Sequence, residues 1–294
     1  MTRPLPLTGG RRLVLIIGVP LAFAVIAWTG LTAVAYAGLG SYSVRLAVPV
    51  HGGTVSLSAG SADVHATQAP GSVLRLTGTA RYSIIRSTVT WHTTTSGVAV
   101  TPQCHFLPGV CSFNFTAVFP EGKRVHLSDE SGNLTLNGLS GPVVAGTGSG
   151  NVTLNGVSGP VVAGSGSGNV DAGSVTGSVS LQSGSGDVSG SNLSGPRATL
   201  KTGSGDIAIA GLAGARVTAS DGSGDIALTF SKVPSLVRVN DSSGDVTLVL
   251  PAGVRYQVHA STDSGSRAVS VLRSAVSPHV IVVTDGSGDI SITN

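Results

Sequence analysis

The sequence is poor in the residues that usually build a large globular core. Only 4% of its 294 residues are aromatic and 11% are charged, and it contains two cysteines and one methionine. Because large aromatic side chains normally dominate burial, the interior must be narrow and filled by small aliphatic side chains. The net charge of +3 is spread thinly, without a Lys/Arg cluster or interleaved aromatics. This composition excludes a typical nucleic-acid-binding surface.

The sequence also lacks the motifs of common enzymes. It has no phosphate-binding loop and no HExxH motif, and its histidines occur singly, at His51, His65, His92, His105, His126, His259 and His279. A catalytic site needs unlike groups that converge at one place, as in the β-helices that cleave acidic polysaccharides. We therefore predict that the protein is not an enzyme and carries no cofactor.

What the sequence does contain is a short phrase, Ser-Gly-Asn/Asp followed by an aliphatic residue, at a nearly fixed interval. The phrase begins at Ser131, Ser149, Ser167, Ser185, Ser204, Ser223 and Ser243, is defective at Ser264, and returns at Ser287. The interval grows from 18 to 23 residues along the chain. A repeat of this length indicates one small supersecondary unit stacked on copies of itself.

Two strands flank each copy of the phrase. Apolar residues alternate with small or polar ones after it, as in Val152, Thr153 and Leu154, and before it, as in Val143 and Ala145. A period of two is typical of half-buried strands. We predict an all-β fold, a single-stranded parallel β-solenoid with ~18–23-residue rungs, because stacking buries all four apolar columns in one core.

Two further expectations follow from the repeat. Glycine at the corners is expected to supply the positive φ values that a tight coil needs. The added length of the later rungs falls in the turn between their two strands, on one edge of the coil. Such insertions often form a binding face, although a coil that simply flares towards its C-terminal cap would show the same pattern.

The Asn/Asp position of the phrase is the main candidate for chemistry. Its side chains are expected to cap backbone N–H groups of the corner, to extend into water, or to bind cations. Capping is the prediction, with no metal site. The candidates for the calcium alternative are Asp187, Asp206, Asp225, Asp245 and Asp289. The spacing differs from the nonapeptide repeat of calcium-binding β-rolls.

The N-terminal region predicts a membrane anchor. Residues 1–12 form a basic tail with Arg3, Arg11 and Arg12, and residues 13–39 form an uncharged apolar run. The run is long enough for one transmembrane helix, and the positive-inside rule leaves the tail in the cytoplasm and the rest of the chain outside. The alternative is a secretory signal cleaved near Ala33-Val34-Ala35. Both interpretations place the body of the protein outside the cytoplasm.

Residues 41–130 predict an irregular β-structured N-terminal cap, and residues 131–294 the regular repeats. The cap holds most of the aromatic residues, namely Trp91, Phe106, Phe113, Phe115 and Phe119. It also holds Cys104 and Cys111, for which we predict a disulfide that closes a short loop. The alternative, a metal or redox pair with His105, has the wrong spacing for either.

These features together resemble a bacterial, actinobacterial-like envelope family described as putative adhesin or as a β-strand-repeat domain of unknown function. The resemblance rests on the basic tail and apolar run, the cysteine loop, Phe119-Pro120-Glu121-Gly122, the repeated phrase and the segment from Leu250 to Tyr256. It implies a β-solenoid on the outer face of the cell membrane and brings no catalytic residues.

The function that we expect is a membrane-anchored, adhesin-like binding or structural module of the cell envelope. Its partner is expected to be a cell-wall glycan or an envelope protein. The alternatives are an accessory protein that senses envelope stress and a calcium- or carbohydrate-binding β-helix module. A binding module should keep its ligand when released from the membrane, whereas a sensor should lose its output.

Overall fold

The computed structural model describes residues 19–37, 39–83, 86–94, 97–103 and 111–294. Its helix, α1, covers Val19–Ala37. In the part of the chain described, no helix combines the length and hydropathy needed to cross a bilayer. The described helix therefore does not show the predicted transmembrane anchor over residues 13–39, of which residues 13–18 and 38 lie outside the described residues. Membrane anchoring stays a prediction.

The rest of the described chain is β-structure in two sheets. The first sheet contains β1 (Gly40–Pro49), β3 (Ala62–Ala69), β4 (Val73–Tyr82), β7 (Cys111–Pro120), β9 (Leu134–Asn137), β11 (Val152–Asn155), β13 (Val170–Gly173), β15 (Val188–Ser191), β17 (Ile207–Leu212), β19 (Ile226–Phe230), β21 (Val246–Val249), β23 (Arg267–Val269) and β25 (Ile290–Thr293). The second contains β2 (Thr54–Ser58), β5 (Thr88–Thr94), β6 (Gly97–Gln103), β8 (Arg124–Asp129), β10 (Val143–Thr147), β12 (Val161–Ser165), β14 (Val179–Ser183), β16 (Arg197–Lys201), β18 (Arg216–Ser220), β20 (Leu236–Asn240), β22 (Gln257–Ser264) and β24 (Val280–Ser287).

Each regular rung contributes one strand to each sheet, and the rungs stack in parallel and in register. Val143 pairs with Val161 in the second sheet, and Val152 with Val170 in the first. The four predicted apolar columns face inward and form one continuous core with the N-terminal region. The predicted all-β parallel β-solenoid is confirmed.

A fifth buried column lies in the turn that leads from the first sheet back to the second. Its members are Leu139, Val157, Val175, Leu193 and Leu212. The residue that opens this turn has positive φ even where it is not glycine, as at Ser174 (52°) and Asn192 (55°). The turn is thus a third, narrow wall of the coil, and the repeat pattern alone did not identify it.

Close approach between rungs, and not backbone angle, explains the glycines of the phrase. The glycine between the serine and the Asn/Asp of the phrase is the second glycine of a Gly-Ser-Gly corner, and we call it the second phrase glycine. In the described residues, no second phrase glycine of a regular rung has positive φ. A Cβ on that second glycine, from Gly150 to Gly288, would lie 1.9–2.4 Å from the carbonyl oxygen of its counterpart one rung below. The prediction that the corner glycines adopt positive φ is therefore wrong for these positions.

Rungs at both ends of the stack are out of sequence order. The rung β2–β3 lies between β6–β7 and β8–β9, and β1 and β4 extend the first sheet in antiparallel pairing. At the other end, the chain makes β22–β23 first and then returns, so that β24–β25 lies between β20–β21 and β22–β23. The last strand in sequence is thus an interior strand, and β22 and β23 are the edge strands.

We expect Gly168→Ala to lower the free energy of unfolding by about 2–4 kcal/mol, because the rungs must separate to admit the methyl group. The new Cβ would lie 2.1 Å from Gly150 O. The control is Gly146→Ala, whose Cβ would lie 3.9 Å from the nearest atom, Gly164 O. Urea unfolding of both variants measures the difference. Equal losses in the two variants would contradict the close-packing explanation.

Candidate binding surface at the C-terminal end

The Asn/Asp column forms a side-chain-to-backbone ladder along one corner of the solenoid. Each Oδ1 accepts the N–H of the phrase residue in the next rung at 2.8–3.0 Å. The ladder runs through Asp63, Asn133, Asn151, Asn169, Asp187, Asp206, Asp225, Asp245 and Asp289 and ends at the N–H of Ser266. Since each side chain caps the rung above it, the column ties rungs together and does not close Asx-turns within a corner.

The five aspartates named as calcium candidates, Asp187, Asp206, Asp225, Asp245 and Asp289, lie in this ladder and are exposed. Each uses one carboxylate oxygen on a backbone N–H, and the bond from Ser266 lowers the pKa of Asp289. Across residues 19–294, apart from the gaps given above, no three His, Cys, Asp or Glu side chains are grouped as a metal site would require. A calcium role for this column stays the untested alternative.

We expect Asn169→Ala to lower the free energy of unfolding by about 1 kcal/mol, because the N–H of Asp187 loses its acceptor at 2.9 Å. Asn169→Asp is the matched control, since it keeps an acceptor oxygen and adds only repulsion from Asp187. Thermal unfolding at low and high salt separates the two effects, because salt screens the repulsion between exposed carboxylates. An alanine variant as stable as the parent would show that the ladder contributes nothing.

A second polar column, not identified from the sequence, lies inside the same corner. It occupies the position two residues before the phrase and consists of hydroxyl residues in four successive rungs, namely Thr147, Ser165, Ser183 and Thr202. Ser165 Oγ accepts the N–H of Gly168 at 2.8 Å and donates to Gly150 O at 2.7 Å. Each hydroxyl thereby satisfies one backbone donor of its own rung and one acceptor of the rung below.

In the next three rungs of the stack this inner position is occupied by aspartate. Asp221, Asp241 and Asp285 are 4%, 4% and 2% exposed. Burial raises the pKa of Asp221, and it raises that of Asp241 to about 6, helped by the neighbouring charges of Asp221 and Asp285. The sequence signal was an Asp before the phrase in addition to the Asp within it, a doubling confined mainly to the C-terminal rungs.

The core is left open at the C-terminal end of the stack. In interior rungs the inward-facing residues are almost fully buried, whereas Val258, Ala260 and Val269 of the last rung are only partly buried. Together with Arg267 and Arg273 they line a pocket of about 360 Å³. Because no further rung covers it, this end exposes a short stretch of the hydrophobic core.

A second pocket, of about 310 Å³, adjoins the first and shares Val258 and Arg273 with it. Its base is Tyr256, which is fully buried and donates its hydroxyl to Pro251 O at 2.9 Å. Burial raises the pKa of Tyr256. The extended turns at residues 250–256 and 270–279 surround this side chain, so the insertions noted in the sequence build the wall of the open end.

Three arginines lie at this end, together with Asp263 on the edge strand β22 and Asp289 of the outer ladder. Arg255 and Arg267 donate to backbone carbonyls, Arg273 O and Ala260 O, at 3.3 and 2.8 Å. None of the three arginines, Arg255, Arg267 and Arg273, has an ion-pair partner among the residues that the structure describes. The open end therefore combines apolar side chains, edge strands and uncompensated guanidinium groups.

The two cysteines lie in the N-terminal region, far in sequence from this surface. Cys111 begins β7, and Cys104 lies outside the described residues. The Cys104–Cys111 disulfide therefore stays a prediction. The phenylalanines that follow, Phe113, Phe115 and Phe119, are buried in the core.

Comparison with known proteins identifies a family and two similar structures. The model of the Toastrack DUF4097 family matches residues 36–293. A putative adhesin from Bacteroides fragilis NCTC 9343 is similar in structure, with 13% identity, a TM-score of 0.44, and coverage of 86% of this chain and 96% of that one. A putative cell adhesion protein from Clostridium sporogenes ATCC 15579 has 9% identity and a TM-score of 0.23, over 87% of this chain and 99% of that one. No curated protein matches the chain.

Proposed function

The chain belongs to the Toastrack DUF4097 family, and we propose that it is a non-catalytic, adhesin-like binding module of the cell envelope. Its ligand in this proposal is an acidic, extended segment of another envelope protein. The observation that carries the proposal is the open C-terminal rung, where Val258, Ala260 and Val269 are left without a covering layer beside Arg267 and Arg273.

A binding role fits the chemistry of the described residues better than catalysis. The repeat presents the same group at the same place on every rung, as the Asn/Asp ladder illustrates. A catalytic site needs different groups that converge on one reacting atom. The open end offers apolar contact and positive charge, which suit recognition of a ligand.

Two features favour a polypeptide segment as the ligand. β22 is an edge strand of eight residues, paired on one side with β24, and such edges bind extended peptides by adding a strand. The large aromatic side chain at this end, Tyr256, is fully buried, so it offers no exposed ring for stacking on a sugar. The uncompensated arginines supply complementarity to acidic side chains and select against basic ones.

We expect the full chain to bind acidic, strand-forming peptides more tightly than basic ones on a peptide array, with affinities that fall as salt rises. Arg273→Glu should weaken this binding on the order of tenfold, because it inverts one of the charges that line both pockets. Arg273 is exposed and its side chain makes no hydrogen bond among the described residues, so this change should leave the fold intact. Fluorescence anisotropy with the best peptide measures the change.

The matched control is Arg216→Glu, the same charge change at an exposed position on β18, away from the open end. It should leave peptide affinity within about twofold of the parent, because screening limits its influence at that distance. Equal losses in the two variants would overturn the assignment of the surface. Binding only to a parallel array of cell-wall glycans would overturn the choice of ligand.

A further inference from the structure

The inner corner column changes its chemistry where serine and threonine give way to aspartate. In the hydroxyl rungs, the side chain donates a hydrogen bond to the carbonyl of the second phrase glycine one rung below. Ser183 does so to Gly168 O at 2.9 Å, and Thr202 to Gly186 O at 2.9 Å. A carboxylate has no proton to donate. Asp221, Asp241 and Asp285 occupy this position in three adjacent rungs, whose strands β18, β20 and β24 pair in that order.

Each of these carboxyl groups has one oxygen bonded and one left without a partner. Asp241 Oδ1 accepts the N–H of Ser242 at 2.7 Å, and Asp285 Oδ2 accepts the hydroxyl of Thr262 at 3.3 Å. The buried oxygens without a hydrogen-bond partner are Asp221 Oδ2, Asp241 Oδ2 and Asp285 Oδ1. A buried, ionised carboxylate with an unsatisfied oxygen is strongly unfavourable.

The unsatisfied oxygens of Asp221 and Asp241 each lie near a carbonyl oxygen of the rung below. A Cβ placed on Gly244 would lie 3.1 Å from Asp241 Oδ2 and 2.1 Å from Gly224 O. A Cβ placed on Gly224 would lie 2.7 Å from Asp221 Oδ2 and 2.3 Å from Gly205 O. In each case two acceptors border the same gap, and a hydroxyl hydrogen bridges the equivalent position in the serine rungs. A proton on the carboxyl group would restore that bridge.

In the described part of the chain, no basic group acts on Asp241 to stabilise its ionised form. The charges that act on it are those of Asp221 and Asp285, from the rungs on either side, and the outer ladder places Asp225, Asp245 and Asp289 at the same corner. From β22 the neighbouring side chain is the uncharged Thr262, followed by the exposed Asp263. Arg238 of β20 is exposed on the outer face. A metal ion has no ready-made set of three ligands in the described residues.

We propose that the carboxyl group of Asp241, in the middle of the column Asp221–Asp241–Asp285, holds a proton and uses it to donate a hydrogen bond to the carbonyl oxygen of Gly224. The proton moves from solvent to the carboxylate when the pH falls and returns when it rises, without other chemistry. Thr262 Oγ1 lies within hydrogen-bond distance of both Asp285 Oδ2 and Gly288 O and can donate its single hydrogen to either. The column thereby reaches the last rung.

The direction of the pH dependence follows from the raised pKa of Asp241, about 6 in the folded protein against 3.8 as its ordinary value. The folded chain holds the proton more tightly than the unfolded chain. The resulting stabilisation is complete below pH 4 for this group and is lost as the pH rises to about 6 and beyond. Each proton so bound changes the unfolding equilibrium by up to about tenfold per pH unit within this window.

The test compares the full chain with Asp241→Thr, which gives position 241 the hydroxyl group that Thr202 has at the same position of an earlier rung. The parent should unfold at a temperature at least about 3 °C higher at pH 5 than at pH 8. At pH 8, Asp241→Thr should be more stable than the parent, and its unfolding temperature should differ much less between pH 5 and pH 8. Asp245→Asn, in the outer ladder, is the control and should show the same difference between pH 5 and pH 8 as the parent. Equal pH dependence in Asp241→Thr and the parent would overturn the proposal.

A second measurement does not depend on how the threonine variant folds. Carbon NMR of the aspartate carboxyl groups in the parent should show one that titrates between pH 5 and 7, and Asp241→Asn should lack it. The absence of such a titration in the parent would overturn the proposal. So would a calcium titration at pH 8 that raises the unfolding temperature of the parent and leaves Asp241→Thr unchanged, because a cation would then fill the role assigned to the proton.

Discussion

The stacking of one glycine on the carbonyl of another is the contact on which the whole solenoid depends. At the corner, the second phrase glycine approaches the rung below so closely that a Cβ would fall 1.9–2.4 Å from its carbonyl oxygen. This approach keeps the two sheets joined at a sharp edge with the rungs in register. Because the coil is then thin, its core admits mostly Val, Ile, Leu and Ala, and the low aromatic content follows from the same constraint.

Tight corners create backbone donors and acceptors that water reaches poorly, and two side-chain columns satisfy them. The outer Asn/Asp ladder caps the N–H of each following rung, and the inner hydroxyl column bonds a glycine N–H and a glycine carbonyl. Asparagine and aspartate both serve in the outer column because the bond to the next rung needs only Oδ1 as an acceptor. In the inner column, aspartate and serine differ, because the group there is buried and must donate as well as accept, and an ionised carboxylate only accepts.

The repeat columns allowed the regular part of the fold to be predicted, because period-two alternation and a constant interval are properties of local sequence. The reason for the corner glycines was mistaken, since a clash with the next rung is visible only after stacking. The order of the end rungs could not be predicted from the sequence either. The defective phrase at Ser264 marks the edge rung, but β21 pairs with β25, and this pairing skips a whole rung of sequence. The inner column needed the same three-dimensional knowledge, as Asp241 looks like an ordinary polar residue beside Asp245.

The return of the chain at the C-terminal end has a physical consequence for both proposed roles. Because β24–β25 fills an interior place, the edge is formed by β22–β23, whose connecting turns are long. An edge rung is stabilised from one side only, so its position depends on the bonds to the rung beneath it. One of these bonds joins Thr262 to Asp285, the last member of the aspartate column. The aspartate column therefore reaches the edge rung through this one corner.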